Sequence, residues 1–192
     1  MTKSVFASAC LALGLAAGLA AQPALAQSGK FTVSSPDVAQ GKKIGDRYVF
    51  SGFGCTGANV SPALEWKNAP QGTQSFAVTV YDPDAPTGSG WWHWLAFNIP
   101  ATTTMLAAGA GDTAGTGLPV GTIQGRTDFG APGYGGPCPP KGDKPHHYTF
   151  TVYALKVATL PSVDANSPAA MVGYFLNANA LGKASLTAVY GR

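Results

Sequence analysis

The stretch "SFAVTVYDPDAPTGSGWWHWLAFNIP", Ser75–Pro100, decides how this chain folds. It opens with a period-two pattern: Phe76, Val78 and Val80 share a face with Asp82, while Ala77, Thr79 and Tyr81 take the other. It closes on a second strand, where strict alternation through "WWHWLAFNI" puts His93, Leu95, Phe97 and Ile99 together. Between the two, Asp82 and Asp84 bracket Pro83, and Pro86 follows. Prolines this dense fix the backbone, and the bonds before them are the ones that take the cis form at small cost.

Working outward, "HHYTFTVYAL", His146–Leu155, reads as a third strand that groups His146, Tyr148, Phe150 and Val152 and sends His147 to the opposite side. Each of these strands carries a polar group at one end of a face that otherwise looks like core. That pattern builds a pocket at the rim of a sheet. "ASLTAVYG", Ala184–Gly191, reads as a last strand. One helix precedes it, with Ser167 as cap, Pro168 in the first turn, a stripe of Met171, Tyr174, Phe175, Ala178 and Leu181, and Gly182 as the stop. From Ala101 to Lys144 the chain is dense in turn residues, as in "GAPGYGGPCPPKGDKP", which means irregular backbone. So long a loop inside a compact domain is functional or mobile.

Lys3, the apolar run Val5 to Leu19 and the small residues Ala24-Leu25-Ala26 form a secretory signal. Residues 1–26 are therefore expected to be a signal peptide, and 27–192 a single domain with a sizeable core and no stable membrane anchor. The destination is the periplasm or the exterior. Of the three cysteines, Cys10 leaves with the signal, and Cys55 and Cys138 are expected to bridge in that oxidising compartment. Two buried thiols are the alternative. A formal net charge of +3, with only Lys42 and Lys43 adjacent among the basic residues, argues against nucleic acid or a membrane surface as partner.

Strand parity aims Asp82 with the buried face, where an ionised carboxylate needs a partner. His93 and His146 are the candidates. Asp84 reads as an ordinary turn residue whose carboxylate caps backbone amides. A histidine beside Asp82 would keep one ring nitrogen oriented, while the other histidine, Tyr148 and loop amides would donate to an anion. An imidazolium in that role predicts affinity falling as pH rises through about 6 to 7. The same histidines and carboxylate also suit zinc, as a variant reading. The chain has no GxGxxG helix entry, P-loop, CxxC or GxSxG motif, and no cofactor is expected.

With "SPALEW" at Ser61–Trp66, "YDPDAPTGSGWWHWLAFNIP", "DFGAPGYGGPCPPKG" and "PHHYTFTVYAL", the sequence resembles the phosphatidylethanolamine-binding protein family, in its bacterial Raf kinase inhibitor-like branch. The resemblance covers nearly the whole chain after the signal. It implies a mainly β fold of two packed, largely antiparallel sheets with Greek-key links and a few peripheral helices. It also implies a small anion-binding cavity for phosphate-like groups and phospholipid headgroups. The pocket residues carry over as Asp82, Trp91, His93, His146 and Tyr148, with Pro140 and the backbone near Cys138 on the loop side. Family precedent adds cis bonds before Pro83 and Pro86. One position departs: His147 stands where the family usually has arginine, which puts any surface using that fixed charge in doubt.

These readings converge on an exported, non-catalytic binding protein for a small anionic or phosphorylated ligand, with an unidentified envelope protein as the conceivable macromolecular partner. The alternatives are a hydrolase using an Asp-His pair in the same pocket, and a protein-interaction or inhibitor module whose pocket is regulatory.

Overall fold

Valine, threonine and aromatic side chains fit a pleated surface buried on both faces, and the longest runs of them form the longest strands. The computed structural model describes residues 29–192 together with the first two; the expected signal segment from Lys3 onward, and Cys10 with it, lies outside the described residues. In chain order the elements are β1 (Thr32–Ser34), β2 (Ser51–Gly52), β3 (Cys55–Thr56), β4 (Leu64–Lys67), β5 (Ser75–Asp82), β6 (Trp91–Pro100), β7 (Met105–Leu106), β8 (Ile123–Gln124), β9 (His146–Leu155), α1 (Ala169–Asn179) and β10 (Ala180–Tyr190). A single turn of 3-10 helix spans Asp46–Tyr48. Five strands form one antiparallel sheet in the order β10-β9-β5-β6-β8, and β1-β4-β7 form a second. A two-stranded ladder, β2-β3, stands apart.

The two larger sheets enclose the main core. Leu64 and Trp66 of β4 and Leu106 of β7 pack with Phe76, Val78, Val80, Phe150 and Val152 of the five-stranded sheet. Trp66 and Phe76 meet tilted at 5.3 Å between ring centroids. Each fully buried side chain of this size stabilises by about 1.5 to 3 kcal/mol. The opposite face of the large sheet is covered by α1, where Val172 and Leu176 lie against Ala77, Leu95, Phe97, Tyr153 and Leu155. The mainly β architecture of packed antiparallel sheets is as expected, with one α-helix at the periphery.

The parity of β5 and β9 holds, but that of β6 does not. Val80 pairs with Trp94 and Tyr81 with Trp92, so His93 is an extra residue on β6; a second irregularity falls between the pairs Val78–Ala96 and Phe76–Ile99. Asn98, with φ at 60°, absorbs that second bulge in the left-handed region that asparagine tolerates. The expected group of His93, Leu95, Phe97 and Ile99 is therefore split. Leu95 and Phe97 face the helix and Ile99 the inter-sheet core, while His93 turns to the side of Asp82 and Tyr148.

The helix also differs from its expected face. Its buried residues are Ala169, Val172, Gly173, Leu176 and Asn179, whereas Tyr174 is 68 % and Met171 41 % exposed. A Cβ on Gly173 would stand in ordinary contact with the Trp92 ring, so this face of the helix lies over Trp92. Ser167 does not cap; it bonds with Asp164, and Pro168 occupies the cap position. Gly182 does not stop the helix either, because β10 starts at Ala180 and passes through it, with a bulge at Leu181. Every peptide bond among the described residues is trans, including those before Pro83 and Pro86, contrary to family precedent.

Candidate functional site

Three adjacent strands bring their polar ends to one edge of the large sheet. Asp82 ends β5, between the start of β9 at His146 and the start of β6 at Trp91, opposite which it pairs. The bulge on β6 adds His93 to the same side, and strict alternation on β9 adds Tyr148. The link between β5 and β6 closes on Gly90, with φ at 68°, where a Cβ would strike the Tyr81 hydroxyl and the Asp82 carbonyl.

The far wall comes from the irregular segment. Gly136 packs so closely on Tyr48 and Phe50 that a Cβ has no room, and its N–H donates to Asn59 Oδ1 at 2.8 Å. Gly135 N–H donates to the His93 carbonyl at 2.8 Å. Cys138 is bonded to Cys55, with Cα atoms 6.0 Å apart, which ties this wall to the β2-β3 ladder as the cysteine count implied. Arg192 reinforces the tie: Nε donates to the Pro139 carbonyl at 2.7 Å and Nη1 to that of Gly54 at 2.9 Å. The segment is thus ordered by a covalent bond and a guanidinium clamp.

Between these walls lies a cleft of about 220 Å³, lined among others by Asp82, Trp91, His93, Cys138, Pro140, His146 and Tyr148. All seven residues singled out from the sequence line the same cavity. Phe53 and Phe129 line it too and were not foreseen; Phe129 stacks on both Phe50 and Phe53, and Phe53 at the ladder tip is 69 % exposed. The available signal was a phenylalanine set among glycines in each case, Phe53 between Gly52 and Gly54 and Phe129 before Gly130.

Asp82 is 2 % exposed yet well provided with donors. One oxygen accepts from the Asp84 and Ala85 amides at 2.8 and 3.2 Å, and the other meets His146 Nδ1 at 2.8 Å. The turn-capping role expected of Asp84 therefore belongs to Asp82. Asp84 instead accepts from the His147 amide and its Nδ1, each at 2.7 Å. Burial works against its charge, but these bonds outweigh burial and leave its carboxyl below the usual range. His146 Nε2 lies 3.3 Å from Asp143 Oδ2, so both its ring nitrogens face carboxylates. Asp143 was not foreseen from the sequence.

His93 is only 3 % exposed, and its Nδ1 donates to the Gly135 carbonyl at 2.6 Å. Burial pushes its pKa down to about 4, against the opposing pull of Gly135 and Asp82, so at neutral pH the ring is neutral. The imidazolium expected of a pocket histidine is not supplied here. Burial, and then the charge of Asp82, hold the Tyr148 phenol well above its ordinary value, so it remains an O–H donor. The Trp91 indole N–H is buried without a hydrogen-bond partner among the described residues. No three His, Cys, Asp or Glu side chains among the described residues form a metal-holding group. The histidines are turned elsewhere, to Gly135 and to two carboxylates.

The chain thus joins a two-sheet β fold to a small cleft at the ends of three strands, its walls mostly apolar and its floor an Asp-His pair. The phosphatidylethanolamine-binding protein family model matches residues 34–191, and the chain belongs to that family. It is 59% identical over 165 residues to the UPF0098 protein YbcL of Escherichia coli strain K12, covering 86% of this chain and 90% of that one. The UPF0098 protein YbhB of the same strain is 49% identical over 156 residues, covering 81% and 97%. The crystal structure of E. coli YbcL, described as a new member of the mammalian PEBP family, superposes with a TM-score of 0.83 at 58% identity and covers 85% of this chain and 99% of its own.

Proposed function

We propose that this chain is an exported, non-catalytic binding protein for a small anionic or phosphorylated ligand, a phosphate or a phospholipid-headgroup-like group, with residues 27–192 as its single working domain. The reading is carried by one observation: Asp82, Trp91, His93, Cys138, Pro140, His146 and Tyr148, from separate parts of the chain, line one cleft of about 220 Å³. That volume suits a headgroup rather than a whole lipid. The Cys138 amide, which has no partner among the described residues, is the donor for an anion, and the Tyr148 hydroxyl, also drawn to the Asp82 carboxylate, is a second that an anion must win from it.

Catalysis would need a base beside an unengaged nucleophile. Here the Cys138 sulfur is bridged, Asp82 already accepts three hydrogen bonds, and both nitrogens of His146 face carboxylates. Export is supported by the disulfide, since such bonds persist in oxidising compartments, and by a Mycobacterium tuberculosis relative, 41% identical over 127 residues, that carries a lipoprotein name. Calorimetry with phosphate and phosphoethanolamine tests the site: both bind the native protein, and the double variant Asp82→Ala, His146→Ala loses them. Unchanged binding by that variant removes the site, and turnover of any phosphoester or acyl substrate removes the non-catalytic reading.

A further inference from the structure

The cleft combines donors with an unusual acceptor. The Gly135 carbonyl can only accept, so the His93 nitrogen that meets it at 2.6 Å must carry the ring's proton. A neutral ring then has a bare lone pair on Nε2. That atom has no partner among the described residues and is not sealed from solvent, since it is absent from the buried atoms that lack one, and the residue lines the cleft. The groups packed around the ring add no competing proton source. Asp82 on β5 is an acceptor already filled, Asp128 takes the Trp92 amide, His146 on β9 is held between Asp82 and Asp143, and Tyr148 presents its ring edge-on at 5.1 Å.

We propose that the cleft selects tetrahedral anions that still carry a proton, phosphomonoester or phosphonate monoanions, and rejects sulfonates and phosphodiesters, because His93 Nε2 can accept a hydrogen bond but not give one. The proposal rests on the anion-binding reading above and narrows it. A monoanion with one P–OH gives that proton to Nε2 while its other oxygens accept from Tyr148 and the loop amide. An anion of the same charge and shape without the proton sets two acceptors face to face, leaving a buried pair unsatisfied. The burial that keeps His93 neutral makes protonating the ring instead a costly escape.

Methylphosphonate and methanesulfonate decide the matter, being alike in shape and, at about pH 6, alike in charge, with a proton on the first alone. Calorimetry on the native protein is expected to show the phosphonate bound about tenfold or more tightly. Methyl phosphate should likewise exceed dimethyl phosphate, which separates a free monoester from the diester of an intact phospholipid. Equal binding within either pair overturns the proton rule and leaves the anion site standing. Binding of none of the four overturns both. Nitrogen-15 spectra of the His93 ring supply a test independent of ligand: a neutral ring protonated on Nδ1 is expected, and a proton on Nε2 near neutral pH sinks the proposal. His93→Gln, whose amide can donate, should shrink the phosphonate preference to about threefold or less. If that variant does not fold, the native spectra still decide.

Discussion

Asp82 and His146 meet at 2.8 Å with side chains 4% and 5% exposed, while Asp84 and His147, their near neighbours in sequence, meet at 2.7 Å with 41% and 57% exposed. Residue types and separations are nearly the same, and the surroundings are opposite. The inner pair lies at the floor of the cleft, tied also to two backbone amides and to Asp143. The outer pair lies on the rim in water. Solvent screens the outer pair until it contributes little, whereas either inner partner left alone would be a buried polar group without its counterpart. Geometry makes both pairs, and burial gives only one of them weight.

The largest effect should come from the wall that encloses the inner pair. Replacing both cysteines, Cys55→Ser with Cys138→Ser, opens a bridge spanning 83 residues and should cost about 4 to 5 kcal/mol at most in urea denaturation. A change below about 1 kcal/mol would mean the wall stands without it. Next, Asp82→Ala should destabilise by about 3 to 5 kcal/mol and Asp84→Ala by less than about 1. Equal losses would erase the distinction between floor and rim.

Acidification sharpens the same contrast. The folded pKa of His93 is about 4 and its ordinary value 6.5, so across that window the unfolded chain binds more protons. Stability therefore rises with pH there and is lost on acidification, by about 3 kcal/mol over the full window. Denaturation at both ends of the window should show this loss in the native protein and not in His93→Gln. Asp84 has the opposite origin and the same sign. Its lowered pKa contributes stability above the ordinary carboxylate range that is lost as pH falls through the folded value. For so exposed a pair the effect is the smallest of the series, under about 1 kcal/mol, and His147→Ala should abolish it.

Much of the floor could be read in advance. Strands β5 and β9 keep a strict period of two, so Phe76, Val78, Val80 and Asp82, and likewise His146, Tyr148, Phe150 and Val152, lie where alternation puts them. Strand β6 does not: the same rule that placed Asp82 would have turned His93 toward Leu95 and Phe97 on the helix side. A bulge has no fixed signature in a run of apolar residues; Asn98, which tolerates positive φ, marks only the second bulge at the far end of β6, and nothing local marks the one at His93. The helix face was misread as well. Helical spacing suggested Met171, Tyr174, Phe175, Ala178 and Leu181, but the face that packs on the sheet is Ala169, Val172, Gly173, Leu176 and Asn179.

By itself the sequence determined the strand-forming runs, the pairing of two cysteines and the placing of Asp82, His146 and Tyr148 on one face, because alternation and cysteine number act locally or by count; Trp91, Pro140 and the segment near Cys138 were legible only through the resemblance to the family. Only the tertiary structure decided which way His93 faces, that Phe53, Phe129 and Asp143 join the site, and that one Asp-His pair is dry and its neighbour wet. Those properties depend on what distant segments place around a residue. The charge state of His93 follows from that enclosure, since loss of water and one backbone carbonyl fix where its proton sits.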